Sequence, residues 1–255
     1  MPQSTNPRAF LQGGEAATGA LNAVAVFAGI GRLSLDRIEA RSRFVEVRDG
    51  AQILKQGDAA DAVYAVISGG RVRVVTTSRD KGLMVQMFHA GDILGEMGVI
   101  DGGVRSADAY AEGRVRLLRI SARIFLAALD EHPALGRNLC VALSTRLRRT
   151  LTLLEDATFE NLEVRLARQI LYLGQSDGRR TEHGLQLTGR LRQVDLADFL
   201  GTTNRSIITI LHAWRTSGLV IYNANCGQLT VVDEAKLQAL VAANEEPAPR
   251  RPCLC

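Results

Sequence analysis

The stretch "RQVDLADFLGTTNRSIITILHAWRTSGLVIY", Arg192 to Tyr222, places two short amphipathic runs on either side of one glycine. Val194, Leu196, Ala197 and Leu200 fit the apolar face of a first helix, and Ile207, Ile208, Ile210, Leu211 and Trp214 that of a second. Gly201 between them can take the left-handed backbone of a tight turn. Helix, turn, helix at this spacing is a helix-turn-helix, whose second helix enters the major groove of a duplex. The residues that follow, "GLVIYNANCGQLTVVD", read as a two-strand hairpin, a wing, with its turn around Asn223 to Gly227.

The second helix carries Thr203, Asn204, Arg205, Ser206 and Thr209 near its N-terminal end. Arg205 can offer a fork to guanine and Asn204 can pair with adenine, while the three hydroxyls suit phosphates or bases. A solvated helix face competes with this reading for any one of them. As a set following Gly201 they point to a nucleic-acid contact. The module is close to charge balance, so binding would rest on a few placed groups and on duplication in a dimer.

Upstream, residues from Pro133 to Leu154 contain only Gly136 as a breaker. Leu143, Leu147, Thr150, Leu154 and Ala157 follow one another at intervals of 4, 3, 4 and 3 residues, a heptad stripe. Arg146, Arg148, Arg149 and Glu155 keep the other faces polar. The stripe is expected to pair with a second copy, with Leu143, Leu147, Thr150 and Leu154 at the interface; packing on the chain's own domain is the alternative. A further helix, "EVRLARQILYLG", is expected beyond Asn161 and up to Gly174, with "QSDGRRTEHG" as a polar loop after it.

From Val45 to Ile120 the texture changes to short runs such as "AVYAVISGG", "RVRVVTTS" and "RVRLLRI", separated by Gly-Asp and Gly-Gly turns. This predicts a compact antiparallel sheet or roll, with no βαβ unit to give its glycines a dinucleotide-binding meaning. A short helix over Leu33 to Ala40 is expected to lead into it.

Within the roll, "GDILGEMGVIDGGVRSA", Gly91 to Ala107, sets the carboxylate of Glu96 and the guanidinium of Arg105 nine residues apart. Gly95 lets a ligand approach the backbone, and the carboxylate of Glu96 accepts hydrogen bonds of the kind a ribose hydroxyl donates. Arg105 suits a phosphate, and Ser106 adds a hydroxyl and an amide beside it. Ribose and a singly charged phosphate together describe a cyclic nucleotide or a molecule shaped like one. A Glu96–Arg105 ion pair closing a surface loop is the competing reading.

Gly95, Glu96, Arg105, Ser106 and Ala107 closely resemble the phosphate-binding cassette of cyclic-nucleotide-binding domains, and "LKQGDAADAVYAVISGG" resembles the same domain at Gly57, Asp58, Tyr64 and Gly69. With the long helix and "LADFLGTTNRSIITIL" after it, residues 24–240 look like a member of the Crp/Fnr superfamily of bacterial transcription regulators. The resemblance implies an α+β chain in three parts: an antiparallel β-roll sensor at 24–131, a dimerisation helix at 132–160 and a winged helix-turn-helix at 161–240. Residues 1–23 are expected as a flexible leader and 241–255 as a flexible tail.

By the same resemblance, Glu96 would take the ribose 2'-hydroxyl, Gly95 would offer backbone, Arg105 would pair with the cyclic phosphate, and Ser106 would touch phosphate or base. Thr150 falls where cAMP-responsive members contact the purine. The implied partners are cAMP or cGMP as effector, a second copy of the chain, double-stranded DNA and RNA polymerase, with no required cofactor. Departures are specific. Leu94 stands where many members have Phe, Gly69-Gly70 is one residue longer than the usual turn, and Leu151 replaces a serine that helps read adenine. Asn204, Arg205 and Thr209 stand where the catabolite activator type has Arg, Glu and Arg, so the target sequence should differ.

Composition bounds the alternatives. The 255 residues carry 31 basic and 27 acidic side chains and are 46% hydrophobic, as in an ordinary globular protein with room for two domains. "GALNAVAVFAGIG" is too short and too broken for a membrane span or a signal peptide, and a cytoplasmic location is expected. Cys140, Cys226, Cys253 and Cys255 lack the spacing of a zinc site, a disulfide framework or an iron–sulfur cluster. The four histidines, His89, His132, His183 and His212, show no metal-ligand spacing, which counts against a nucleotide hydrolase. A regulator with another effector, and a module that binds protein instead of DNA, remain as alternatives.

Overall fold

The computed structural model describes residues 10–12, 19–78, 81–187, 189 and 191–243. The chain divides into two units, residues 1–150 and 151–255, with one helix running across the division.

The first unit is built on an antiparallel sheet of seven strands among the described residues: β1 (Phe10–Gln12), β2 (Arg43–Val47), β3 (Gln52–Leu54), β4 (Ala62–Ser78), β5 (Lys81–Phe88), β6 (Ile93–Leu94) and β7 (Asp108–Ser121). The order is β1-β2-β7-β4-β5, with β3 paired to β7 and β6 to β4. The valine-rich runs form the two long central strands because both of their faces are buried. Tyr64, Val66, Val72, Val115 and Leu117 fill the inside of the roll with Val45, Val47, Ile53 and Leu94. The alternating set Val63, Ala65, Leu118 and Ile120 packs instead against helices, meeting Leu21, Phe27, Leu35, Ile38, Phe125, Leu135 and Leu139. A period of two thus serves two cores at once.

Leu21 and Phe27 lie on the 3-10 turns Ala20–Ala23 and Ala25–Phe27; the helices are α1 (Arg32–Ala40), the short α2 (Glu96–Ile100), α3 (Ala122–Glu131) and α4 (Pro133–Phe159). The β4–β7 register shifts twice: between Val66 and Ser68 the extra residue is Ile67 on β4, and between Gly69 and Arg71 it lies on β7, where Gly113 and Arg114 face the single Gly70. A Cβ on Gly69 would sit 2.2 Å from the Arg114 carbonyl oxygen, and one on Gly70 2.0 Å from that of Glu112, so only glycine fits this approach of the two strands.

The leader expected over residues 1–23 is corrected where the structure describes it. Phe10–Gln12 pairs antiparallel with Val45–Val47, and Leu21 is fully buried. The Glu39 carboxylate accepts the backbone N–H of Gly19 at 2.8 Å and of Leu21 at 2.6 Å, which ties the segment to α1. One leucine and a distant acid carry this order, and neither shows in the local composition. The other leader residues, and the tail from residue 244 on, lie outside the described residues.

Within α4 the structure revises the expected stripe. Leu143 packs against the core of its own β-roll, with Leu135 and Leu139 buried above it. The exposed line runs instead through Cys140, Ser144, Leu147, Leu151, Leu154 and Thr158, still at heptad spacing. Leu147, Leu151 and Leu154 are 60%, 50% and 63% exposed. The side chain of Ala157 is not among those described.

The second unit holds α5 (Leu162–Asp177), β8 (Gly178–Thr181), β9 (Gly184–Leu187), α6 (Gln193–Leu200), α7 (Asn204–Thr216), β10 (Val220–Asn223), β11 (Gln228–Val231) and α8 (Glu234–Ala242). Asn161 caps α5 by accepting the Val164 N–H at 2.9 Å. The segment read as a polar loop is a tight hairpin: Gly178–Thr181 pairs with Gly184–Leu187 and makes the wing sheet four-stranded, in the order β10-β11-β9-β8. β8 is an edge strand with almost every residue exposed, so it leaves no apolar alternation in the sequence.

Gly201, with φ of 60°, closes α6 in the left-handed conformation and opens the expected turn. Ile207, Leu211 and Trp214 are buried under α7, whereas Val194 and Ile208 remain 49% and 43% exposed. The Trp214 indole N–H donates to Glu163 at 2.7 Å, fixing α7 to α5.

Candidate ligand cleft and nucleic-acid interface

The cleft of the first unit begins where β6 ends. Gly95 takes φ of 82°, which turns the chain into α2 and buries Glu96 at its start. After Asp101 the chain returns through a loop held at both ends of a backbone pair: Arg105 N–H donates to Asp58 O at 2.8 Å, and Gly57 N–H donates to Arg105 O at 2.9 Å. The glycine turn read near Gly57 and Asp58 is therefore the support on which Arg105 rests.

The Arg105 side chain is only 4% exposed. Nη1 donates to the Gly95 carbonyl at 2.7 Å, and Nη2 donates to the Ala62 carbonyl at 2.8 Å and to Asp61 at 3.3 Å. Burial lowers its pKa from the usual arginine value, with Tyr64 and Asp61 opposing that shift; a guanidinium stays charged near neutrality all the same. Asp61 also takes Arg119, at 2.5 Å. Burial raises the Tyr64 pKa, against the pull of Arg119.

The Glu96–Arg105 pair is not formed. Glu96 instead accepts from Arg146 of α4 at 2.5 Å, and Arg146 also donates to the Ile93 carbonyl at 2.8 Å and lies 4.5 Å over the Phe88 ring. Such a guanidinium, pinned by a carboxylate, a carbonyl and an aromatic face, is held far more firmly than a surface ion pair.

Gly95, Glu96, Arg105, Ser106 and Thr150 all line one cleft, together with Arg146 and a mainly apolar wall. Counted out into its solvent mouth, the cleft holds about 730 Å³ of space. Thr150 donates its hydroxyl to the Arg146 carbonyl at 3.0 Å. From the sequence, Arg146 is only a polar flank of the heptad helix. Its signal was its place four residues before Thr150, hence on the same helix face.

In the second unit, Thr203, Asn204, Arg205 and Thr209 are exposed and Ser206 is partly so. The hydroxyls are already in use: Thr203 caps α7 by accepting the Ser206 N–H at 3.2 Å and lies 2.9 Å from the Ser206 hydroxyl, while Thr209 donates to the Arg205 carbonyl at 3.0 Å. Asn204 and Arg205 therefore carry the uncommitted polar groups of the first turn. His212, exposed two turns on from Arg205, shares its face and was not singled out from the sequence.

The comparisons with known proteins agree with this architecture. The family model for the cyclic nucleotide-binding domain matches residues 44–132, and that for the Crp-like helix-turn-helix domain matches residues 164–240. A sensor domain of the first kind followed by a reading head of the second is the build of a transcription regulator. The chain is 31% identical over 172 residues to a cyclic AMP receptor protein of Thermus thermophilus, covering 67% of this chain and 76% of the relative. It is 25% identical over 192 residues to a CRP-like cAMP-activated global transcriptional regulator of Mycobacterium tuberculosis, covering 73% of this chain and 85% of that one. Among solved structures, the c-di-GMP responsive regulator CLP of Xanthomonas campestris shares the fold with a TM-score of 0.70 at 22% identity, over 79% of this chain and 99% of its own. The chain belongs to the Crp/Fnr superfamily of transcription regulators.

Among the described residues no helix is long and apolar enough to cross a membrane.

Proposed function

We propose that this regulator is a cytoplasmic homodimer that binds a cyclic nucleotide, cAMP or cGMP, in the β-roll cleft and a palindromic duplex through two copies of α7. The observation that carries the reading is the convergence of Gly95, Glu96, Arg105 and Ser106 from the roll with Arg146 and Thr150 from α4 around one cleft. Arg105 supplies a buried positive charge for the cyclic phosphate. Glu96 gives one carboxylate oxygen to Arg146 and keeps the other for a ribose hydroxyl. A ligand touching Arg146 and Thr150 touches the helix whose adjacent face is the exposed leucine line, so it can favour one dimer arrangement over another. In the favoured one, the two α7 helices meet half-sites about 34 Å apart, and RNA polymerase is the expected further partner.

The test is titration of a labelled palindromic duplex with and without nucleotide. The reading requires DNA affinity to change when nucleotide is added; indifference removes the switch. A second reading, a Crp/Fnr regulator responding to another effector or to none, is favoured by the partners Arg105 already holds in Gly95, Ala62 and Asp61.

A further inference from the structure

The strand β5 departs from simple alternation where it borders the cleft. Gln86 pairs with Val74 of β4, but the next pair is Val75 with Met84, so Val85 is an extra residue on β5. A bulge of this kind re-aims side chains and is common beside binding sites. Here its result is that the consecutive residues Val85 and Gln86 both line the cleft. Gln86 shares its face of the sheet with Val74, which pairs in turn with Ala109 of β7. Two small neighbours leave room above the amide.

The amide is the one side chain of the cleft wall able to offer a neutral donor and an acceptor side by side. Glu96, Arg105 and Arg146 are engaged in ion pairs, and Thr150 has already given its proton to the Arg146 carbonyl. Gln86 makes only a long contact, Nε2 to the Met87 carbonyl at 3.4 Å, and its Oε1 has no partner among the described residues. Ser106, adjoining Arg105, belongs to the phosphate end.

We infer that Gln86 is a specificity-determining residue that reads the purine, accepting from the 6-amine of adenine through Oε1 and donating from Nε2 to N7. This rests on the cyclic-nucleotide reading of the cleft and deepens it. Glutamine makes this pair of bonds with the same edge of adenine in DNA. Guanine presents a carbonyl in place of the amine, so in the same pose Oε1 would face a second acceptor and lose its hydrogen bond. The β5 bulge therefore selects cAMP over cGMP.

The experiment is calorimetric titration of the full-length chain and of Gln86→Leu with cAMP, cGMP and 7-deaza-cAMP, which keeps the amine and replaces N7 by carbon. The wild type should prefer cAMP over each of the others by roughly tenfold or more, the size of discrimination expected from a bidentate amide–base pair. Gln86→Leu should bind all three with nearly equal affinity. Gln86→Glu, which can accept but not donate, should keep the preference over cGMP and lose that over 7-deaza-cAMP; it also serves if the leucine variant does not fold. A leucine or glutamate variant that keeps the full wild-type pattern overturns the inference and leaves the cleft reading standing. A wild type that binds neither cAMP nor cGMP overturns both.

Discussion

At the residue scale, the cleft depends on groups that satisfy one another before any ligand arrives. Gly95 shows how tightly. Its φ of 82° disfavours any other residue, and a Cβ there would lie 2.7 Å from Arg105 Nη1 and 3.3 Å from Leu54. Gly95→Ala should lower the stability of the folded chain by about 1–3 kcal/mol, the usual cost of a left-handed non-glycine residue, and should weaken nucleotide binding by displacing Arg105. Urea denaturation followed by circular dichroism measures the first effect, and a ligand titration of the same variant the second. Arg105, Glu96 and Ser106 were legible in the sequence because they fall within one short segment with a positive-φ glycine at its head. Arg146 was not, because a residue fifty positions away joins Glu96 only once α4 is packed on the roll. Gln86 was hidden for another reason: a bulge has no sequence signature of its own, and a strict period of two would have turned either Val85 or Gln86 away from the cleft.

At the element scale, α4 carries one apolar face packed on its own unit and, beside it, an exposed one. Its start is buried in the β-roll through Leu135 and Leu139, and Leu143 continues that contact. The exposed line through Leu147, Leu151 and Leu154 is what a second copy would cover. The sequence period predicts a helix here, which is observed, but its stripe differs by one residue from the exposed line, because Leu143 satisfies both the stripe and the intramolecular core. The two roles separate by mutation. Leu147→Asp with Leu154→Asp should convert a dimer into a folded monomer in sedimentation velocity. Leu143→Ala should leave the dimer intact and lower thermal stability, by about 2–5 kcal/mol if the site is well packed and less in proportion to its partial exposure.

The reading helix makes a parallel case. With the hydroxyls of Thr203, Ser206 and Thr209 engaged within α7, Arg205 and Asn204 are the residues proposed to discriminate bases. Arg205→Ala should cost about 1–3 kcal/mol at one base pair per half-site and relax the preference there. Competition binding against operators changed one base pair at a time measures it. A uniform loss across all sequences would assign Arg205 to phosphate instead.

At the scale of the whole molecule, two domains of different texture follow one another in a 255-residue chain, and the order of the parts was plain from glycine spacing, valine alternation and one helix-turn-helix. What the sequence withheld were edge elements that owe their form to distant partners. β1 exists through its pairing with β2, and β8 through its pairing with β9. β1, with three residues, is too short to show a pattern, and β8 is made of polar residues, so it looks like a loop until its neighbour is known.

The central claim is that the cleft binds a cyclic nucleotide through Arg105. The first experiment is isothermal titration of the purified protein, and of Arg105→Ala, with cAMP and with cGMP. Saturable binding of at least one nucleotide to the wild type is expected, and its loss in the variant, with the variant still folded by circular dichroism. Equal binding to both proteins, or none to the wild type, would contradict it and return Arg105 to a structural post held by Gly95, Ala62 and Asp61.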